Sequence, residues 1–200
     1  MLTILLLVVA YLLGSIPFGL VVGKLIYKKD IRQFGSGNIG TTNAFRAFGT
    51  VGGILVFICD MLKGAIPVLL AHGLDTSIHP LVFGGMAIVG HSYPLFLKFK
   101  GGKAVATSFG VVLAYHPAFA LISIASFFVS LFVTSMVSFS SIFAVIFATL
   151  LSLYYQDWVL TLVTALVLIL VVLRHKDNIK RIRQGTESRV PFGLKSSKKK

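Results

Sequence analysis

The sequence predicts an all-α integral membrane protein with about seven short transmembrane helices, an external N-terminus and a cytoplasmic C-terminus. Of its 200 residues, 56% are hydrophobic and only 12% are charged, which is typical of a membrane protein. The basic residues cluster in short segments between apolar runs, and the side on which they lie sets the orientation of the chain. We therefore expect one polytopic domain over residues 1–200.

The first three apolar runs have recognisable ends. They predict spans at about residues 2–22, 50–72 and 81–97. No basic segment precedes the first run, so it is expected to be a span and not a cleaved signal peptide. The segments 24–46 and 98–103 are rich in Lys and are expected in the cytoplasm, whereas 73–80 has no Lys or Arg and is expected outside.

The region 104–173 must cross the membrane an even number of times, because basic residues put both of its ends in the cytoplasm. Breaks are expected at 115–117, 134–141 and 154–157. The four apolar pieces between them are each shorter than the ~20 residues of a perpendicular span. Four short helices give the preferred total of seven spans, and two longer ones would give five. Residues 190–200 are expected to form a basic cytoplasmic tail.

The formal charge of +13 suits nucleic acid, a membrane surface or phosphorylated substrates. Nucleic acid is not an expected partner, because the basic residues lie in short loops between apolar spans. The single Cys59 gives no disulfide framework and is expected to pack in the second span. The six acidic residues are scattered and there is no Cys/His cluster, so neither a metal nor a cofactor is expected.

The segment 34–46, F-G-S-G-N-I-G-T-T-N-A-F-R, is the first candidate site. Glycines let backbone N–H groups converge on an anion, and hydroxyl, amide and guanidinium groups add donors. A dinucleotide fold is excluded because a membrane helix, and not a strand, precedes the glycines. A flexible loop without a ligand is the alternative. The candidate phosphate-binding residues are Ser36, Gly37, Asn38, Gly40, Thr41, Asn43 and Arg46.

The segment 98–104, K-F-K-G-G-K-A, is the second candidate. It is not a Walker A loop, because Ala104 follows the Gly-Lys pair where Ser or Thr is needed. Gly102 and Lys103 precede a predicted helix and fit an anion contact. The alternative is a cluster of lysines that only sets the orientation of the chain in the membrane.

Asp60 and Lys63 lie on one face of the second span, as a functional or a structural ion pair. His91 is either a phosphate donor or a packing histidine.

The segment 174–187, R-H-K-D-N-I-K-R-I-R-Q-G-T-E, is the third candidate. Lys180, Arg181 and Arg183 are expected to lie on lipid headgroups. Surface electrostatics explains His175, Asn178 and Glu187 less well, so these three are site candidates. Ser138 and Ser141 are either helix-packing hydroxyls or, on the cytoplasmic side, part of the site.

These segments together resemble the bacterial acyl-phosphate:glycerol-3-phosphate acyltransferase family (PlsY). The matching motifs are GSGNIGTTNAFR at 35–46, DMLKG at 60–64, GHSYP at 90–94, FKGGKAVAT at 99–107, SFSSI at 138–142 and RHKDNIKRIRQGTE at 174–187. Their order and spacing fit across nearly the whole chain. Two positions depart from the family pattern. Ala104 stands where Gly is usual, and Ser135, to which we assign no role, stands where Arg is usual.

The resemblance implies that a fatty acyl group passes from acyl phosphate to the 1-hydroxyl of sn-glycerol 3-phosphate. The products are lysophosphatidate and phosphate, in the first step of phospholipid synthesis, and no metal or cofactor is needed. It also implies a multi-pass protein of the bacterial cytoplasmic (inner) membrane with its site on the cytoplasmic side, and we expect a monomer.

The roles implied for the site residues divide between the two substrates. Phosphate and oxyanion contacts fall to Ser36, Asn38, Thr41, Asn43 and Lys103, with Gly37, Gly40 and Gly102 supplying backbone. Glycerol 3-phosphate is held by Arg46, Ser141, His175 and Asn178, with Glu187 orienting the basic groups and Ser138 nearby. The general base is either His175 or the phosphate of the donor itself.

Two other classes of protein remain open at this point. A transporter of a phosphorylated solute would also have basic loops and buried charge, but it often has inverted repeats, and the sequence shows no internal repeat. An integral membrane phosphotransferase would need a carboxylate cluster for Mg²⁺.

Overall fold

The computed structural model describes residues 1–74 and 76–196, and within these ranges it contains helices and no strand. The helices are α1 (Leu2–Ser15), α2 (Phe18–Leu25), α3 (Thr41–Gly73), α4 (Pro80–Ser92), α5 (Val105–Tyr115), α6 (Pro117–Thr134), α7 (Val137–Tyr154), α8 (Trp158–Arg174) and α9 (Lys176–Arg183). Two 3₁₀ turns cover Ile31–Gln33 and Leu95–Leu97. The predicted all-α class is therefore confirmed. Asp75, which belongs to the expected external segment, and residues 197–200 of the expected tail lie outside the described residues.

Four segments of the described chain are long and apolar enough to cross a membrane: Thr41–Gly73, Pro80–Leu97, Pro117–Thr134 and Val137–Tyr154. Two bent helix pairs, α1 with α2 and α8 with α9, raise this number to six if each pair is one span. Helix α5 is apolar but shorter. The count of seven spans, its alternative of five and the orientation of the termini stay predictions.

The helix breaks in the second half of the chain agree with the sequence. They fall at residues 116, 135–136 and 155–157, so the four apolar pieces are α5, α6, α7 and α8. The break expected over 134–141 is shorter than predicted, which places Ser138 and Ser141 inside α7. Helix α3 begins earlier than the expected second span. Gly49, at φ 75°, interrupts it, so residues 41–48 form a separate helical piece before the span.

The chain forms two compact units, Met1–His116 and Pro117–Lys200. In the first unit, α3 packs along α5 and α1 packs along α4. Glycines permit this close approach, as expected for membrane helices. A Cβ atom on Gly110 would lie only 1.9 Å from the carbonyl oxygen of Met61, and one on Gly14 only 2.2 Å from that of Ala87. In the second unit, α6 packs against α7 and α7 against α8.

Many large apolar side chains are exposed along these helices. Leu69 on α3 is 55% exposed, Phe128 on α6 is 59% exposed and Leu162 on α8 is 61% exposed. Such surfaces suit the hydrocarbon of a bilayer, where apolar side chains need no protein partner.

We expect Gly110→Ala to lower the melting temperature of the detergent-purified protein by about 5 °C or more, because the new methyl group forces α3 and α5 apart. Gly85→Ala is the matched control, since a Cβ atom at Gly85 on α4 meets nothing within 4 Å. Equal melting temperatures for the two variants, measured by differential scanning fluorimetry, would contradict the close packing of α3 on α5.

Candidate active site

Asn43 holds the glycine-rich loop 34–40 in place from the first turn of α3. The two N–H groups of its buried side-chain Nδ2 are shared among the carbonyl oxygens of Ile31, Phe34 and Asn38, at 3.1, 3.0 and 2.8 Å. Its Oδ1 accepts a hydrogen bond from the backbone N–H of Ser36 at 2.9 Å. Both polar atoms of the side chain therefore bind loop backbone. This placement differs from the direct phosphate contact expected for Asn43 and indicates that it positions the loop.

The loop needs glycine where its backbone turns. Gly35 and Gly37 adopt φ values of 55° and 69°, which favour glycine. A Cβ atom on Gly35 would also lie 2.3 Å from Asn43 Oδ1. Asn38 closes the turn, because its Oδ1 accepts a hydrogen bond from the backbone N–H of Gly40 at 2.9 Å.

The loop ends at the N-terminus of α3, where Gly40 is the N-cap and supplies no capping side chain. The first backbone N–H groups of α3, those of Thr41 and Thr42, have no acceptor within the helix. The hydroxyl oxygen Oγ1 of Thr41 is buried and has no hydrogen-bond partner within residues 1–74 and 76–196. Ser36 is exposed beside this helix end, and Arg46 is exposed in the helix that follows. These donors and the dipole of α3 together favour the binding of an anion at this end of the helix.

The second candidate segment, residues 98–104, is called the lysine loop below and lies between α4 and α5. The backbone N–H groups of Gly101 and Gly102 donate to the carbonyl oxygens of Ser92 and His91, at 3.2 and 3.1 Å. A Cβ atom on Gly102 would lie 2.2 Å from His91 Nε2, so only glycine fits against this ring. Lys103 follows, half-buried, two residues before α5 begins.

Ala104, the N-cap of α5, is buried and has φ 58°, in the left-handed region. This conformation costs an alanine about 1 kcal/mol relative to glycine, because its Cβ crowds the backbone. Glycine would adopt this conformation without that cost.

A buried polar cluster in the first unit lies close to the lysine loop. Lys63 Nζ lies 2.8 Å from Asp60 Oδ1 and donates a hydrogen bond to the carbonyl oxygen of Ile16 at 2.8 Å. His91 Nδ1 lies 3.6 Å from Asp60 Oδ1 and 3.2 Å from Thr107 Oγ1. The pairing of Asp60 with Lys63 that the sequence suggested is therefore present.

Glu187 is the centre of the polar cluster in the second unit. Its Oε1 accepts hydrogen bonds from Ser138 Oγ and from Asn178 Nδ2, the latter at 2.6 Å. Its Oε2 pairs with Arg181 Nε at 2.7 Å. The carboxylate thus ties α7 to α9. Arg181, expected on lipid headgroups, instead binds this carboxylate, and no spacing rule in the sequence pointed to the pair.

The turn after α9 brings Glu187 back to this helix. Gly185 has φ 69°, its N–H donates to the carbonyl of Ile182 at 3.1 Å, and the N–H of Thr186 donates to that of Arg181 at 2.9 Å. These two bonds form a Schellman motif, which ends a helix and reverses the chain. The sequence Gly-Thr-Glu therefore places a carboxylate beside the helix that it has just left.

His175 and Ser141 also lie in the second unit. His175 is buried between α8 and α9, and its Nδ1 lies 2.8 Å from the carbonyl oxygen of Val171. A carbonyl only accepts, so Nδ1 carries the proton, and in the neutral ring Nε2 is the basic nitrogen. Ser141 Oγ donates to the carbonyl oxygen of Val137 in its own helix at 2.8 Å.

Two carboxylates outside the spans have lowered pKa values. Burial raises the pKa of Glu187, but hydrogen bonds from Ser138, Asn178 and Arg181 outweigh burial and hold it below its usual range. Hydrogen bonds from Arg32 lower the pKa of Asp30, before the glycine loop, to about 2. Arg32 is thus paired with Asp30.

Over residues 1–74 and 76–196, no three His, Cys, Asp or Glu side chains are grouped as metal ligands would be.

Known proteins resemble this chain along most of its length. A family model described as glycerol-3-phosphate acyltransferase matches residues 4–185. A glycerol-3-phosphate acyltransferase of Macrococcus caseolyticus is 50% identical over 188 residues, covering 94% of this chain and 97% of that protein. Another, of Enterococcus faecalis, is 47% identical over 207 residues, covering 98% of this chain and 95% of that protein.

Solved structures also match. One is the crystal structure of PlsY, an integral membrane glycerol 3-phosphate acyltransferase, in the glycerol 3-phosphate form, with a TM-score of 0.86 at 41% identity over 94% of both chains. The lysophosphatidic acid form of PlsY matches with a TM-score of 0.83, at 41% identity over 93% of this chain and 94% of that one.

We expect Glu187→Gln to destabilise the protein at neutral pH and to make its stability less dependent on pH. Because the pKa of Glu187 is lowered on folding, its carboxylate stabilises the fold above the usual glutamate value of 4.5. That stabilisation is lost as the pH falls through the folded pKa. The melting-temperature difference between wild type and variant should therefore be largest above about pH 5 and should shrink below it. Asp177→Asn, at an exposed position of α9, is the control. A difference independent of pH would contradict the role of the charge.

Proposed function

The chain belongs to the glycerol-3-phosphate acyltransferase family, and on this premise we propose that an acyl phosphate donates its acyl group. The protein is an integral membrane acyltransferase that converts glycerol 3-phosphate to lysophosphatidate, a step of phospholipid synthesis. Family membership does not support the alternative of a transporter. The observation that carries our proposal is the start of α3 in the first unit, where Gly40 supplies no capping side chain and the buried hydroxyl of Thr41 has no hydrogen-bond partner among the described residues.

The serine hydroxyls of the second unit support an acyl phosphate as donor. Some acyl transfers use an enzyme nucleophile that is activated by an adjacent base. Ser138 donates to Glu187 and Ser141 to the carbonyl of Val137, so neither hydroxyl is paired with a histidine in the way that such a nucleophile would be. An acyl phosphate is already activated, because inorganic phosphate is a good leaving group. Direct attack by the substrate hydroxyl is then sufficient.

In the proposed reaction, the 1-hydroxyl oxygen of glycerol 3-phosphate attacks the carbonyl carbon of the acyl phosphate. The bond from this carbon to the phosphate oxygen breaks, and phosphate leaves with the electron pair. Negative charge develops on the carbonyl oxygen and on the departing phosphate. We assign its stabilisation to Ser36, Asn38, Thr41 and Lys103, together with the backbone N–H groups of the glycine loop. Asn43 keeps the loop in the required shape.

The hydroxyl proton has two possible acceptors. His175 is one, because Nδ1 faces the carbonyl of Val171 and Nε2 is therefore the basic nitrogen of the neutral ring. The donor's own phosphate is the other, and it would leave carrying the proton. Asn178 and Ser141 are assigned to glycerol 3-phosphate, with Glu187 holding Asn178 and Arg181 in position. Arg46 is assigned to the same substrate through the resemblance of residues 35–46 to the family motif.

We further propose one polytopic domain of seven spans in the bacterial cytoplasmic membrane, with the N-terminus outside and the C-terminus inside. The reaction then takes place on the cytoplasmic side, in a monomer, and residues 190–200 form a basic tail. The segments 24–46 and 98–103, which contain the two candidate loops of the first unit, are basic, and this supports their cytoplasmic position.

Arg46→Ala and Lys103→Ala should each lower kcat/KM by about tenfold or more while the protein remains folded, because each removes a charge that contacts a phosphate. Lys100→Ala is the matched control, since Lys100 is exposed and belongs to the same loop as Lys103. Lysophosphatidate formation from labelled glycerol 3-phosphate measures the rates. Near-normal rates in both variants would refute the assignment.

The donor is identified by mixing the detergent-purified protein with palmitoyl phosphate and labelled glycerol 3-phosphate, with chelator and without coenzyme A. Labelled lysophosphatidate is the expected product, because the donor is already activated and the proposed reaction requires no enzyme nucleophile. Product formed only with an acyl thioester, while palmitoyl phosphate stays unused, would overturn the proposal for the donor.

A further inference from the structure

Asp60 and Lys63 form an ion pair that is almost completely buried, with side chains 2% and 3% exposed. Such a pair is expensive to desolvate, and an apolar pair of similar volume would usually stabilise a fold as well or better. Ionisable groups inside a membrane span are therefore functional by default. Neither residue takes part in the reaction proposed above, so the pair requires another explanation.

Lys63 acts on the glycine loop through the break between α1 and α2. Its Nζ donates to the carbonyl oxygen of Ile16, which the break leaves outside a regular helix. Helix α2 starts two residues later, and its Gly19 packs directly on the loop. A Cβ atom on Gly19 would lie only 1.9 Å from the carbonyl oxygen of Ile39. The direction in which α2 leaves the break therefore determines the position of Ile39, between Asn38 and the N-cap of α3.

Asp60 acts on the lysine loop through His91. The ring nitrogen Nδ1 of His91 faces Asp60 Oδ1 and Thr107 Oγ1, at 3.6 and 3.2 Å. On its other side, His91 contacts the lysine loop. The carbonyl of His91 accepts the N–H of Gly102, and the ring packs where a Cβ of Gly102 would lie. The orientation of this ring thus sets the path of the backbone that leads to Lys103.

We propose that Asp60 and Lys63 are positioning residues that hold the glycine loop and the lysine loop in one arrangement, with His91 as the intermediate on the lysine side. The ion pair is connected to both loops through other residues. Lys63 is connected to the glycine loop through Ile16 and α2, and Asp60 is connected to the lysine loop through His91 and Gly102. The inference rests on the proposed phosphate-binding function of these two loops. It assigns the pair to turnover and phosphate affinity rather than to the stability of the helix bundle alone.

A double-mutant cycle separates positioning from a purely structural role. Asp60→Asn keeps the shape of the side chain and should lower kcat by about tenfold per folded molecule, with Lys63→Met giving a similar loss. If Asp60 acts through the lysine loop, Asp60→Asn should cost less than about threefold in a Lys103→Ala background. Rates are measured well below the melting temperature of each variant. Wild-type kcat in both single variants, or fully additive losses in the cycle, would overturn the proposal.

The control is Ser152→Ala, which removes a buried hydroxyl facing Thr164 in the other unit and should leave kcat unchanged. If Asp60→Asn alone does not yield folded protein, Asp60→Asn/Lys63→Met, which leaves no lone buried charge, replaces it in the cycle and the same two outcomes apply.

A binding experiment keeps this inference distinct from the proposed reaction. Inorganic phosphate should raise the melting temperature of the wild type and should raise that of Asp60→Asn much less. If the wild type forms no lysophosphatidate but this difference is present, the proposed donor chemistry fails and the positioning role stands. Equal shifts in wild type and Asp60→Asn would contradict the positioning role, whatever the reaction.

Discussion

Polar groups that lie among membrane helices must find partners within the protein, because the hydrocarbon supplies none. This constraint organises both units of the chain. In the first unit, Lys63 donates to the carbonyl of Ile16 at the break after α1, a carbonyl that also accepts the N–H of Phe18. In the second unit, the carboxylate of Glu187 accepts hydrogen bonds from Ser138 of α7 and from Asn178 and Arg181 of α9. Helix breaks and helix ends are therefore the places where polar side chains gather.

The same helix ends provide the donors on which the proposed site depends. A helix that starts after glycine has backbone N–H groups that no side chain caps, and this is the case for α3 after Gly40. An anion can satisfy these groups at no further conformational cost to the loop, because Asn43 already holds the backbone with four hydrogen bonds. Preorganisation of this kind matters most where the charge of a phosphate changes during the reaction.

The sequence predicted the fold class and most of the helix breaks, because apolar runs and basic loops follow directly from the properties of a bilayer. The residues that it proposed for the candidate site stay predictions. It did not separate residues that contact a ligand from residues that shape the loop, since asparagine does either with the same atoms. Asn43 is such a case. The pairing of Arg181 with Glu187 was missed because it depends on the chain reversal at Gly185, which only three-dimensional geometry reveals.

Ser135, to which the sequence analysis assigned no role, illustrates the same limit. It is fully buried at φ 57°, and its hydroxyl donates to the carbonyl of Phe192 at 2.9 Å. Its own carbonyl accepts the N–H of Val190 at 2.8 Å. In this chain Ser135 therefore connects the segment after Glu187 to the turn between α6 and α7 through two hydrogen bonds. The carboxylate of Glu187 lies directly before this segment, and the serine thus contributes to its fixed position without contacting it.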